Sequence, residues 1–210
     1  MTGPIDNMAI ALTRIAEEAE RRTGTLDLSN LGLQSLPEAL FDLRHLRELD
    51  LGNHKPWEPG TKPNQIDAQR KRLECLASLE VLSVRWSDLS SLDLVRSLQN
   101  LEQLDCSGTP VTDLTPLAGL SAVKRLDCSG TRVTDLTPLA GLSALKRLDC
   151  GVTQVTDLTP LAGLSALQQL DCRTTKVTDL IPFRKNQVVW HVDEIGLIGM
   201  SSNRGCQASV

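Results

Sequence analysis

Tyrosine is absent from the 210 residues, and phenylalanine and tryptophan number only two and three. A core cannot be built on aromatic rings, so aliphatic side chains must fill it. No apolar run approaches the ~18 residues that a membrane span needs. The first residues also lack the charged-then-apolar pattern of a secretory signal. A basic excess is missing too: the formal net charge is −4, no basic stripe stands out, and nucleic acid is not an expected partner. The three histidines, His45, His54 and His191, are far apart and pair with no nucleophile. Neither an enzyme nor a cofactor is therefore expected.

What is present is repetition. LDCSGTPVTDLTPLAGLSAVKR begins at Leu104, and near-copies begin at Leu126, Leu148 and Leu170, a period of 22 residues. A fixed period in this range marks a solenoid, whose units cannot bury their apolar side alone but share one core when stacked. In Leu126-Asp127-Cys128 apolar residues alternate with aspartate, which predicts a short strand with Leu126 and Cys128 facing inward. Gly130 lies in the turn that follows. Thr137-Pro138 then opens a short helical segment, with threonine expected at the N-cap and proline at the first helical position. The fold class is thus an α/β repeat solenoid, with a parallel sheet on its concave face and short helical or 3₁₀ segments on its convex face.

The units L-x-x-L-x-C-x-x-T-x-V-T-D-L-T-P-L-A-G-L, running from Leu101 to Leu180, resemble the leucine-rich repeat family, and within it the 22-residue class of internalins. That resemblance implies a protein-binding scaffold. The family usually has asparagine where this chain has Thr109, Thr131, Thr153 and Thr175, so its polar ladder is expected to be weaker here. The N-terminal part, TGTLDLSNLGLQSLPEAL after an amphipathic helix, resembles the start of leucine-rich domains in bacterial Roco-type proteins. Those continue into a GTPase, but this chain has no Gly-Lys pair and hence no phosphate-binding loop.

Cys106, Cys128, Cys150 and Cys172 fall in one inward column, where they act as small hydrophobes. Their side chains point the same way, which argues against disulfides and against a tetrahedral zinc site. Reduced thiols suit a cytoplasmic protein. Cys75 is expected in a helix core, and Cys206 in a polar tail.

The chain reads as a capping helix over 1–24, a solenoid of about seven repeats over 25–194, and a tail over 195–210 expected to be partly disordered. In the helix, Met8, Leu12, Ile15 and Ala19, with Ala11 and Ala16, recur on one face. Glu17 with Arg21 and Glu18 with Arg22 form i,i+4 pairs, and Gly24 suits a helix end. The second and third repeats begin 33 residues apart, at Leu49 and Leu82, so eleven residues are inserted near 53–64. That segment, NHKPWEPGTKPN, is expected to be either an ordered but irregular loop or a mobile one beside the concave face, with a longer helical segment over 66–79 after it. Gln187 to Val192 is expected as a last strand, with Val189 and Val192 at leucine positions and Trp190 over the core end.

Three outward rows face a partner. The central one carries Asp27, Asp50, Ser83, Asp105, Asp127, Asp149 and Asp171. Glu48, Gln103, Arg125, Arg147 and Gln169 flank it on one side, and Arg85, Ser107, Ser129, Gly151 and Arg173 on the other. One reading is a solvated face on which Arg125, Arg147 and Arg173 offset the aspartates. The other is an acidic strip that receives a basic peptide. Trp86 stands where later copies have Gly108 and Gly130, and with Trp57 of the inserted loop it makes either a ledge or a stack that pins the loop. A second column, Asp113, Asp135, Asp157 and Asp179, is expected to accept backbone N–H groups. The candidate partner-binding residues are Trp57, Arg85, Trp86, Asp105, Arg125, Asp127, Arg147, Asp149, Asp171 and Arg173. The expected function is non-catalytic binding of a protein or peptide by a monomer. The alternatives are a leucine-rich effector delivered to a host cell and the detached sensor part of a signalling protein.

Overall fold

A leucine between two polar residues makes a three-residue strand with one buried side chain, and this pattern recurs down the chain. The computed structural model describes residues 6–178 and the strand at 189–191. Helix α1 (Asn7–Arg21) is followed by strands β1 (Thr25–Asp27), β2 (Glu48–Asp50), β3 (Val81–Ser83), β4 (Gln103–Asp105), β5 (Arg125–Asp127), β6 (Arg147–Asp149), β7 (Gln169–Asp171) and β8 (Val189–His191). All pair in parallel and in chain order within one sheet. Each of the first seven strands opens one coil of the solenoid. Leu104, Leu126, Leu148 and Leu170 stack in register. The expected last strand is present, but Trp190 rather than Val189 is the partner of Leu170. Val192, Asp179, Cys206 and the tail over 195–210 lie outside the described residues.

Among the described residues the returns between strands are 3₁₀ turns, and the one after the insertion, Asp67–Cys75, is the longest. The Thr-Pro-Leu turns are capped differently from expectation. Leu136 holds the cap position without a side-chain bond, and Asp135 Oδ1 accepts the Thr137 N–H at 2.7 Å. Asp113 and Asp157 do the same for Thr115 and Thr159. The carboxylate reaches the exposed N–H two residues on, and the threonine itself sits inside the turn.

Cys106, Cys128, Cys150 and Cys172 are buried free thiols. The Cys106 and Cys128 thiols donate to the carbonyls of Asp127 and Asp149 in the next coil, each at 3.3 Å. Burial, with the neighbouring carboxylates, pushes their pKa well up, so they remain protonated. The threonine ladder is local: Thr109, Thr131 and Thr153 each donate to the carbonyl three residues back in their own coil, at 2.6 Å. Asn64 ends the insertion and stands at the ladder position of the second coil. It donates to Leu28 and Leu51 carbonyls at 2.9 Å and accepts the Leu33 N–H at 2.8 Å, bridging coils as no threonine can.

The capping helix buries Ala11, Ile15 and Glu18, whereas Leu12 is 46% exposed and Ala16 and Ala19 are also exposed. The contact face is therefore rotated from the one that apolar periodicity predicts. Glu18 decides this. It accepts from Thr23 Oγ1, from the Gly24 N–H at 2.8 Å and from His45 Nε2 at 2.8 Å, rather than pairing with Arg22. Arg22 is the left-handed C-cap, with φ 51°, two residues before Gly24.

Candidate concave binding face

Alternation along each strand places two side chains on the concave face and one in the core. The outward rows are in the predicted register: Gln103, Arg125, Arg147 and Gln169 in one, and Asp105, Asp127, Asp149 and Asp171 in the next. They line a trough of about 390 Å³ over β3 to β7.

The aspartates are not bare carboxylates. Asp105 Oδ1 accepts the Ser107 N–H at 3.0 Å and its hydroxyl at 2.6 Å, and Asp127 does likewise with Ser129. Asp149 Oδ1 accepts the Gly151 N–H at 2.9 Å. These bonds turn each carboxylate toward the end of its strand, and in Asp127 and Asp149 away from the arginine two residues earlier. Arg125 and Arg147 are accordingly exposed and make no ion pair among the described residues. Of the three arginines expected to offset the charge, Arg173 does so, and Arg85 adds a second contact. Arg173 grips Asp171, with Nη2 2.6 Å from Oδ2, and Arg85 Nε lies 3.8 Å from Asp105 Oδ2.

Asp127 and Asp149, in the middle of the ladder, make no ion pair among the described residues, and burial dominates their titration. Burial pushes the Asp149 pKa up to about 6, with repulsion from Asp127 and Asp171 adding to it and the Gly151 N–H opposing. Burial also raises Asp127, against its bonds from Ser129.

Trp57 and Trp86 do not come together. The insertion leans over the first coil: the His54 N–H donates to Asn30 Oδ1 at 2.7 Å, and Lys62 lies against Gly32. His54 Nε2 also meets Asp50 Oδ2 at 2.6 Å, so the loop starts beside the concave face as expected. Trp57 is 73% exposed and makes no ring contact among the described residues. The loop is pinned by polar groups at its two ends, and the aromatic stack is not formed. Trp86 leans the other way, onto Gly108 of the fourth coil, while Arg85 lies over Gly52 of the second.

Val152 is the residue that sequence reasoning passed over. It occupies the same left-handed row as Trp86, Gly108 and Gly130, with φ 54°, and is 61% exposed. Reading that row down the repeats, Trp-Gly-Gly-Val, reveals it without a structure.

A family model described as leucine-rich repeats, two copies, matches residues 121–163. Together with the sheet, this gives the chain the leucine-rich repeat fold, and that fold commonly mediates protein–protein interaction. Its architecture is internalin-like. Internalin C2 of Listeria monocytogenes superposes with a TM-score of 0.70 at 21% identity, over 90% of this chain and 93% of that one. An internalin F from the same organism gives 0.60 at 19%, over 90% and 68%. A leucine-rich repeat protein of Leptospira interrogans gives 0.64 at 22%, over 91% and 55%. At these identities the likeness is one of fold. No curated protein matches the chain in sequence.

Proposed function

We propose that the chain is a non-catalytic scaffold that binds a protein or peptide partner on its concave face and along the edge of the inserted loop. The observation that carries this reading is the pair Arg125 and Arg147, exposed beside a row of aspartates and unpaired among the described residues. Like charges held in register on a rigid sheet repel one another, a cost that a complementary surface offsets. Trp57, on a loop held at both ends, supplies an exposed aromatic anchor of the type enriched at interface centres. The four reduced thiols favour a cytoplasmic setting.

The test is capture from cell extract with three baits: wild type, Arg125→Glu/Arg147→Glu, and the convex control Lys71→Glu. A protein retained by wild type and the control but lost from the double variant supports the reading. Equal capture by all three overturns it.

A further inference from the structure

The edge at which the strands leave the sheet carries a row of left-handed residues that includes Trp86, Gly108, Gly130 and Val152. Its two large apolar members are exposed, Trp86 by 43% and Val152 by 61%, and they bracket two glycines. A β-carbon built on Gly108 would lie 2.4, 2.5 and 2.7 Å from Cδ2, Cε2 and Cε3 of Trp86. Cδ2 is a ring-fusion atom with bonded neighbours on every in-plane side, so a point nearest to it lies over the ring. The indole therefore rests one face on Gly108, and the residue remains 43% exposed. At Gly130 a β-carbon would meet only the backbone of Gly108, at 3.5 Å and beyond. With coils ~4.8 Å apart, the opening between the indole on the fourth coil and Val152 on the sixth is about one side chain wide.

Beside this apolar strip runs the aspartate ladder, whose carboxylates lean toward it through their bonds to Ser107, Ser129 and Gly151. The chain places its own guanidinium groups at the ends of the ladder, Arg85 near Asp105 and Arg173 on Asp171. Asp127 and Asp149 have no ion-pair partner among the described residues and each keep Oδ2 uncommitted.

We propose that the strip from Trp86 to Val152 docks an arginine-bearing segment of a partner protein, its guanidinium stacked on the indole and its donors turned to Asp127 and Asp149. This deepens the concave-face reading and rests on it. Both halves of the surface select the same group: an aromatic face favours a flat cation, and paired carboxylate oxygens fit the donor fork of arginine. Lysine meets only the charge. A neutral apolar side chain would desolvate two carboxylates without compensating them.

The probe is the peptide acetyl-Gly-Arg-Gly-Arg-Gly-amide, with lysine and citrulline counterparts, titrated into the ¹⁵N-labelled full chain. The readouts are the Trp86 indole N–H, assigned with Trp86→Phe, and the Gly130 amide. The arginine peptide is expected to shift both and to bind at least five-fold more tightly than the lysine peptide, with citrulline inactive. Asp127→Asn/Asp149→Asn should weaken it at least five-fold while leaving the backbone spectrum otherwise unchanged. Trp86→Ala should do the same at the Gly130 amide. Unmoved resonances, equal binding of the lysine or citrulline peptide, or indifference to either variant would overturn the proposal. If that happens while Arg125→Glu/Arg147→Glu still loses its captured partner, only this subsite fails and the scaffold reading stands.

Discussion

The indole of Trp86 occupies the space that a side chain on Gly108 would need, with Cδ2 2.4 Å from the position of a β-carbon there. Gly108 also has φ 66°, where any β-carbon is strained. Gly108→Ala is expected to lower stability by ~2–4 kcal/mol and to expose the indole, read as a red shift in tryptophan emission. About 1–2 kcal/mol of this is dihedral strain and the rest is displacement of the ring. In a Trp86→Ala background only the strain should remain. Equal losses in the two backgrounds would show that the ring and the glycine are not coupled.

Val152 carries a β-branched side chain at φ 54° and gains little from burial, being 61% exposed. A non-glycine residue in this region costs ~1–3 kcal/mol, and glycine returns ~0.5–1 kcal/mol of that through its greater chain entropy. Val152→Gly should therefore stabilise the chain by about 1 kcal/mol, a rise of ~2–4 °C in Tm for a chain of this size. A fall in Tm by differential scanning calorimetry would contradict the strain assigned to this residue.

Asp149 gives a pH dependence of definite sign. Its pKa is about 6 in the fold against 3.8 for the free group, so the folded state binds more protons between those values and stability falls as pH rises through them. The groups acting on Asp149 are Asp127 and Asp171, which raise its pKa, and Arg173 and the Gly151 N–H, which lower it. Asp149→Asn keeps an acceptor for Gly151 and removes the charge. Its urea midpoint should match wild type at pH 3.5 and exceed it at pH 7, the gap opening from about pH 4 to 6. A gap independent of pH would rule out Asp149 as its source.

Glu18 acts in the opposite sense. Burial works against its ionisation, but hydrogen bonds from Thr23, Gly24 and His45 prevail and hold its pKa below the usual 4.5. A lowered pKa stabilises the fold above about pH 4.5, and that contribution is lost as pH falls through the folded value. Glu18→Ala leaves the Gly24 N–H and its neighbours without their acceptor, and should cost ~2–4 kcal/mol at neutral pH. The loss should be smaller at pH 3, measured by guanidinium unfolding. An unchanged midpoint at pH 7 would mean that the capping helix docks without this carboxylate.

The sequence by itself determined the coil: a 22-residue period, leucine and cysteine in inward columns, aspartates at the turns, and an insertion closed by Asn64. These follow from patterns within one repeat, and stacking identical units leaves only one register in which leucine meets leucine. Tertiary structure decided everything that depends on which distant neighbour a side chain finds. Glu18 turned the capping helix because Thr23, Gly24 and His45 surround it, and the insertion leaned over Asn30 and Gly32, so Trp57 and Trp86 parted. Among the described residues Arg125 and Arg147 stayed unpaired because each aspartate beside them had already bent toward its own turn. Exposure at Trp86 and Val152 likewise belongs to the assembled edge, where glycines in the intervening coils leave their flanks uncovered.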